Sequence, residues 1–294
     1  MMQMKDYIVR ALAFDDSVRI YAIRGTELVG KAQEIHGTLP SATAALGRTL
    51  VVGAMMGAML KGEEKLTIRI KGDGPVGELL VDARANGNVR GYVAHPLVHF
   101  QYPNGKLNVA KTVGTTGELQ VIKDIGMKDY YVSTVELVSG ELGEDFTYYF
   151  AKSEQVPSAV GCGVLVETDN RVRAAGGFIL QLLPGTSEEA IARIEERLSS
   201  LKPVSEMIDE GYTPEQIVEA VAGDDHRILS TQPVEYFCDC SKERFGNSLK
   251  AIGRKSLTEI IDEDGKAEVV CHFCNTKYHF TKEELIDIRE NAKQ

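Results

Sequence analysis

The stretches CDC (residues 238–240) and CHFC (residues 271–274) contain four of the five cysteines in two close pairs. The first residues lack a basic region followed by an apolar run, so we expect no secretion signal and a cytoplasmic protein. In that reducing compartment, clustered cysteines are more often metal ligands or redox centres than structural disulfides. The two pairs therefore predict a metal or redox site near the C-terminus.

Four thiolates in two close pairs match the ligand set of a tetrahedral structural zinc site. The C-x-x-C pair is typical of a zinc-binding turn, whereas C-x-C is unusual, because paired zinc ligands are mostly separated by about two to four residues. His272 and His279 lie close by and are weaker alternative ligands, and Cys162 is interpreted as a small core residue without an assigned role. We predict one Zn²⁺ bound by Cys238, Cys240, Cys271 and Cys274.

The spacing also bears on oxidation. A disulfide within each pair would close a loop of only three or four residues and would constrain the chain little. It would also remove the link that a shared metal provides across the 30 residues between Cys240 and Cys271. Disulfides between the pairs would preserve that link. The sequence leaves both pairings open, although closeness along the chain favours the first.

Residues 233–294 form a segment with predicted helices at 241–252, 256–264 and 281–291, the last capped by Thr281 and Glu284. A unit this small has a thin apolar core and commonly needs a metal or disulfides. We interpret it as a zinc-binding redox-switch domain.

Residues 1–180 read mainly as strands. SVRIYAI (17–23) and KLTIRIKG (65–72) alternate apolar and polar residues, and Asn86-Gly87 predicts a hairpin turn. DFTYYFAKSE (145–154) also reads as a strand. One long helix is expected in 41–62, with Ser41 as its N-cap and with Gly53 and Gly57 in close contact with a sheet. The fold class is therefore α+β, with a sheet-rich core domain and a packed helix.

Residues 181–232 read as an acidic helical linker, with eleven acidic and four basic residues. A capping box at Thr186 and Glu189 predicts a helix over 186–198, and Thr213 with Pro214 predicts another over 213–222. Such short helices need a packing partner. The apolar side chains expected to face the core sheet are Ile191, Ile194, Leu198, Ile217 and Val221.

The 294 residues carry a net charge of −10, which disfavours nonspecific binding to nucleic acid or anionic membranes. The longest apolar run, residues 49–60, is too short to span a bilayer. No catalytic constellation emerges, so we expect a protein that is not an enzyme.

The cysteine pairs resemble the zinc motif of the 33 kDa chaperonin family, the redox-regulated heat-shock holdases of bacteria. KGDGPVGELLVDARANGNVRGYV (71–93) resembles the core-domain hairpin of that family, and AAGGFILQLLPG (174–185) resembles the end of its core domain. The resemblance extends over the full length. It implies an α+β core domain, a helical linker and a C-terminal zinc domain.

The resemblance also implies a function. The reduced, zinc-bound form would be inactive. Oxidation would join Cys238 to Cys240 and Cys271 to Cys274, release zinc, and unfold the C-terminal domain and the linker. The active form, a homodimer, would hold unfolding client proteins without ATP during heat and oxidative stress.

Two other functions stay open. The first is a zinc-ribbon module that binds RNA or a translation partner, which the acidic balance disfavours. The second is a thiol oxidoreductase that uses C-x-x-C. It would need an exposed cysteine of low pKa, which a shared metal would mask.

Overall fold

The computed structural model describes residues 5–292. The chain divides into two compact units, with the boundary between Phe237 and Cys238. The strands are β1 Tyr7–Ala13, β2 Val18–Arg24, β3 Lys65–Gly72, β4 Glu78–Arg84, β5 Asn88–Val93, β6 Gly117–Asp124, β7 Tyr131–Glu136, β8 Ser158–Val166, β9 Val172–Leu182, β10 His226–Pro233, β11 Glu235–Tyr236, β12 Lys266–Val270 and β13 Lys277–Thr281. The helices are α1 Thr26–His36, α2 Pro40–Gly57, α3 Val109–Val113, α4 Gly143–Tyr149, α5 Glu188–Ser200, α6 Val204–Asp209, α7 Pro214–Ala222, α8 Lys242–Lys250, α9 Arg254–Glu263 and α10 Lys282–Glu290.

Two sheets form the body of the first unit. One has the strand order β10-β1-β2-β9-β8 and is antiparallel throughout. The other has the order β11-β5-β4-β3-β6-β7, in which only the short β11 runs parallel to its neighbour. Together with the packed helices, these sheets confirm the predicted α+β class.

Helix α2 packs against strands of both sheets. Its buried residues lie all around the helix and include Leu50, Val51 and Met55, which explains the long apolar run in the sequence. A Cβ atom added at Gly53 would lie 2.9 Å from Val81, and one at Gly57 would lie 2.9 Å from the carbonyl oxygen of Arg84. The predicted close contact of these two glycines with a sheet is confirmed.

The predicted hairpin is also confirmed. Strands β4 and β5 pair antiparallel, and Gly87 occupies the turn with a φ of +89°. The Asn86 side chain accepts a hydrogen bond of 3.1 Å from the Asn88 N–H. These are the backbone and side-chain requirements that Asn-Gly turns satisfy.

Two predicted helix caps are wrong. Helix α2 begins at Pro40 rather than behind Ser41, since proline has no N–H to satisfy and suits the first helical position. The Ser41 hydroxyl instead donates to the Val98 carbonyl at 3.2 Å. Helix α5 is capped by Ser187, which accepts from the Ala190 N–H, and Thr186 donates to the Ser17 carbonyl at 2.8 Å.

The strand predicted over 145–154 is wrong as well. This stretch belongs to α4 and to a π-helix, Phe150–Glu154. The buried Asp145 carboxylate accepts hydrogen bonds from several backbone N–H groups that precede or begin the helix, including those of Val138 and Leu142. Phe146, Tyr149 and Phe150 are buried at helical spacing. Asp145 caps the helix by accepting from N–H groups of the loop just before it. The period-two pattern of apolar residues in the sequence gives no sign of such a cap.

The segment predicted as a linker packs on the first sheet within the same unit. Helices α5, α6 and α7 cover the sheet face opposite to the one that faces α2. Ile194, Ile217 and Val221 are buried there, Leu198 is partly buried, and Ile191 is half-buried outside this cluster. The sheet is therefore a layer between α2 and the acidic helices.

The chain then returns to the sheets. Strand β10 pairs with β1 at the sheet edge, and β11 adds two residues beside β5, with Phe237 between β11 and Cys238. The Tyr236 hydroxyl donates to the Gly91 carbonyl at 2.8 Å. The division into 1–180, 181–232 and 233–294 stays a prediction, since packing in one state does not define which segments unfold together.

The second unit contains α8, α9, α10 and the hairpin β12–β13. The predicted cap of α10 is confirmed, with Thr281 accepting from the Glu284 N–H and the Glu284 carboxylate accepting from the Thr281 N–H. The core is small, and its buried members are Leu257, Ile261, Phe280, Leu285, Ile288 and Ala292. Across residues 5–292, no helix has the length and apolar character needed to cross a membrane.

Candidate metal centre

The CHFC pair lies in the turn between β12 and β13. The Asn275 N–H donates to the Cys271 carbonyl at 2.8 Å, and the Cys271 N–H donates to the Thr276 carbonyl at 3.0 Å. Asn275 has a φ of +55°, a left-handed conformation that asparagine tolerates better than most residues. The turn therefore presents both thiols on the same side of the hairpin end.

The CDC pair lies between β11 and α8. Ser241 caps α8 by accepting from the Arg244 N–H at 3.2 Å. The Arg244 guanidinium forms an ion pair of 2.8 Å with Asp239, the residue between the two cysteines. The helix cap and the ion pair together fix the extended segment that carries Cys238 and Cys240.

The four sulfur atoms all lie within 4.8 Å of one another. Cys238 Sγ lies 3.7 Å from Cys271 Sγ, and Cys240 Sγ lies 3.3 Å from Cys274 Sγ. In a tetrahedral site with Zn–S bonds of about 2.3 Å, the sulfurs would be about 3.8 Å apart. The structure thus brings together all four predicted ligands with a spacing that fits one ion.

The thiols perturb one another electrostatically. Burial and hydrogen bonds to the neighbouring thiols raise the pKa of Cys240 to about 12, and burial raises the pKa of Cys271. Burial also opposes ionisation of Cys274, but hydrogen bonds with Thr276 and the other sulfurs outweigh it and lower its pKa to about 7. Four thiolates this close repel, so a cation is needed for all of them to be deprotonated together.

Two residues that sequence analysis missed contact the sulfurs. The Tyr278 hydroxyl lies 3.1 Å from Cys240 Sγ and donates to the Cys240 carbonyl at 3.1 Å. Thr276 Oγ1 lies 3.1 Å from Cys274 Sγ. Both lie within four residues of Cys274, so their proximity to the motif was the available signal. Such outer contacts orient metal ligands and tune their basicity.

The other residues considered as ligands from the sequence are not part of the sulfur cluster. The close group of metal-ligating residues in the described chain contains no histidine. His279 is exposed, with Nδ1 3.5 Å from the Glu268 carboxylate. Cys162 belongs to β8 of the first unit, is partly buried and packs against the larger core cluster, and burial raises the pKa of its thiol to about 11. This agrees with its interpretation as a core residue.

Replacing Tyr278 by Phe should weaken metal binding about 10-fold, because Cys240 loses a hydroxyl partner while the ring and its packing remain. Competition with a chromogenic chelator measures the affinity. His279→Asn, a change on the same strand at an exposed side chain, is the matched control. Equal affinities of the two variants would show that the Tyr278 hydroxyl does not support the centre.

A sheet-rich unit joined to a small unit with four converging thiols defines an α+β protein with a C-terminal cysteine cluster that could hold one metal ion. The family model described as Hsp33 protein matches residues 6–281. The chain therefore belongs to the Hsp33 family.

Individual relatives support this family membership. The 33 kDa chaperonin of Bacillus subtilis is 55% identical over 98% of this chain and 99% of its own length. That of Geobacillus kaustophilus is 56% identical over 99% of this chain and 100% of its own length. The crystal structure of the 33 kDa chaperonin of Thermotoga maritima superposes with a TM-score of 0.91 at 37% identity, and the match covers 98% of this chain and 99% of that one.

Proposed function

We propose that this chain is a redox-regulated holdase that suppresses aggregation of unfolding proteins without ATP and without catalysis. The observation that carries the proposal is the convergence of four sulfurs within 4.8 Å in a unit whose described part has a core cluster of six buried apolar residues. Such a unit depends on the link between its two cysteine motifs. A reaction that breaks this link would therefore unfold the second unit.

The proposed ion is Zn²⁺, bound by Cys238, Cys240, Cys271 and Cys274. When bound, zinc would hold the four sulfurs as thiolates and would contribute roughly 10–16 kcal/mol to folding. The donor set supports zinc because four thiolates select soft or borderline ions, and a closed tetrahedron leaves no open position for catalysis.

The proposed switch is oxidation of each motif. Two thiols lose two electrons and two protons to one peroxide molecule, which forms one disulfide and two water molecules, so two peroxide molecules oxidise both pairs. We propose the bonds Cys238–Cys240 and Cys271–Cys274, in agreement with the family resemblance. In the folded unit Cys238 Sγ contacts Cys271 Sγ and Cys240 Sγ contacts Cys274 Sγ, so this pairing needs local rearrangement of the CDC and CHFC segments.

Unfolding of the second unit would then release the chain that precedes it. Only Phe237 separates Cys238 from β11, a strand of two residues that pairs with β5 and is also held by the hydrogen bond from the Tyr236 hydroxyl to the Gly91 carbonyl. We propose that β11, β10 and helices α5 to α7 lose their packing in the active form, exposing the apolar sheet face beneath them. The clients are unfolded proteins, and the active form is a homodimer in the cytoplasm. We propose no nucleic-acid or membrane partner.

The test is a single time course on reduced protein treated with peroxide and mild heat. Zinc release, suppression of aggregation of a chemically unfolded protein, and disulfide mapping by mass spectrometry are followed together. We expect loss of one zinc per chain, gain of holding activity and within-motif disulfide peptides, all reversed by reductant plus zinc. An active form with Cys238 or Cys240 bonded to Cys271 or Cys274 would retain the long-range link and contradict this mechanism.

A further inference from the structure

The turn between β1 and β2, residues Phe14 to Ser17, has an unusual backbone. Phe14, Asp15 and Asp16 all have positive φ angles, of +51°, +52° and +63°. Aspartate tolerates this left-handed region better than most residues, but a bulky residue such as Phe14 seldom adopts it. Such a backbone persists only where surrounding contacts hold it. Here the contacts come from both ends of the acidic segment, residues 181–232.

One side of the turn holds the start of the acidic segment. The Ser17 carbonyl accepts a hydrogen bond of 2.8 Å from the Leu183 N–H and another of 2.8 Å from the Thr186 hydroxyl. The Phe14 ring is buried in the cluster formed by the sheet and helices α5 to α7. The Arg193 guanidinium of α5 lies over this ring, 5.2 Å from its centroid, which is a favourable cation–π distance. The turn therefore contacts both α5 and the residues just before it.

The other side of the turn holds the end of the acidic segment. The Phe14 N–H donates to the carbonyl of Asp225, which follows α7, at 3.1 Å. The Arg227 guanidinium of β10 donates to both carboxylate oxygens of Asp16, at 2.9 Å and 2.7 Å. Helices α5 to α7 separate these residues from the start of the segment along the chain. One turn of four residues thus holds both ends of the acidic segment.

We propose that the turn Phe14–Ser17 is a clasp that makes the two ends of the acidic segment open together. This deepens the regulation of the proposed holdase and rests on that function. When β10 leaves β1, the turn loses its partners Asp225 and Arg227, and its left-handed backbone relaxes. Relaxation moves the Phe14 ring and the Ser17 carbonyl, which hold the start of α5. Release at the C-terminal end of the segment thereby reaches α5 directly.

The clasp changes how the segment opens. A segment held at independent points would fray from one end, one helix after another. A segment held at both ends by one strained turn favours either both sets of contacts or neither, and this coupling acts equally in both directions. The acidic segment therefore has two discrete states, docked and released. A switch between an inactive and an active form requires such states.

Packing inside the segment offers a second route between its ends, because α5 also contacts α7. The test must separate this route from the clasp. Tyr7, at the opposite end of β1 from the turn, provides the comparison, since its hydroxyl donates to the Glu215 carboxylate of α7 at 2.7 Å. Loss of this bond loosens α7 without touching the turn.

The first experiment is hydrogen–deuterium exchange on the reduced full-length protein. Arg227→Gln removes the ion pair with Asp16, and we expect peptides covering 186–194 to exchange about 3-fold faster, the size of effect of one exposed bidentate pair. Tyr7→Phe should leave exchange there unchanged. Arg171→Gln, which removes an exposed pair with an aspartate from the turn between β8 and β9, controls for the change of charge. No acceleration by Arg227→Gln, or equal acceleration by Tyr7→Phe, would overturn the clasp.

A double-mutant cycle tests the coupling itself. Thr186→Val removes the hydroxyl donor on one side of the turn, and Asp16→Asn removes the charge that Arg227 contacts on the other. If the turn couples its two sides, the acceleration of exchange in the double variant is smaller than the product of the two single accelerations. Asp15→Asn makes the same charge change at a neighbouring residue that forms no ion pair within residues 5–292, and it should combine with Thr186→Val additively. Additivity for Asp16→Asn as well would contradict the proposal.

Activation kinetics connect the clasp to function. After peroxide and mild heat, Arg227→Gln should reach half-maximal suppression of the aggregation of chemically unfolded luciferase about 2-fold sooner than the unmodified protein. Zinc release should keep its rate, because the four thiols lie in the second unit. Unchanged activation despite faster exchange in 186–194 would overturn the regulatory role of the clasp alone. Oxidised, unmodified protein that suppresses no aggregation would instead contradict the holdase function, and the regulatory role with it.

Discussion

Cys271→Ser should lower zinc affinity more than about 100-fold and unfold the second unit at submicromolar free zinc. Cys271 is the most buried of the four thiols, with 3% of its surface exposed, and its backbone N–H and C=O both hold the turn of the motif. Serine is a poor zinc ligand. The loss of zinc affinity should therefore exceed the roughly 10- to 100-fold loss that is typical when a residue contacting a ligand is replaced. The apolar core of six residues does not compensate for the missing metal.

Mass spectrometry measures the zinc content. The near-ultraviolet circular dichroism of the protein, to which Tyr278 and Phe280 of the second unit contribute, reports the unfolding. Cys162→Ser is the control, because Cys162 lies in the first unit and outside the group of converging thiols. The control should retain one zinc per chain. Full occupancy in Cys271→Ser under the same conditions would exclude Cys271 as a ligand and weaken the whole assignment.

Ile194→Asp should destabilise the packing of α5 on the first sheet by about 3–5 kcal/mol. Ile194 is 4% exposed and packs in the cluster formed by α5, α6, α7 and the sheet face beneath them. An unpaired carboxylate in this contact loses the transfer free energy of the isoleucine and incurs a desolvation cost. We expect faster amide exchange across 188–222 and partial holding activity without oxidant.

Ile191→Asp is the matched control. It introduces the same charge one turn earlier on α5, at a side chain that is only half-buried and lies outside the buried cluster. Its effect on exchange and activity should be small. If Ile194→Asp showed unchanged exchange and no gain of activity, α5 would not be a restraint on the active form.

The sequence determined the local features whose causes are themselves local. The turn at Asn86-Gly87 and the caps at Thr213 and Thr281 follow from side chains that satisfy backbone groups two or three residues away. The paired cysteines identified the thiols that would meet, because four thiols in two short motifs match the ligand set of a tetrahedral zinc site. The alternation of apolar residues located β3, β4 and β5 and with them the α+β class.

Other features depended on groups that are distant along the chain. Residues 145–154 alternate well enough to suggest a strand, but Asp145 satisfies loop N–H groups at the start of α4 and so stabilises a helix. Strand β10 exposes most of its side chains, so no apolar pattern marks it, and only pairing with β1 defines it. Tyr278 of β13 meets Cys240, which precedes α8, only through the tertiary fold of the second unit, because the two residues are 38 positions apart.

The sequence by itself determined the chemistry of this protein: four thiols in two motifs, an acidic helical segment before them and a sheet-rich body. Only the tertiary structure decided that the acidic helices cover one face of the first sheet. The reason is physical. Ligand type and helix caps are properties of a few neighbouring residues, whereas the layering and the strand order of a sheet depend on contacts between residues more than 100 positions apart, as for β1 with β10.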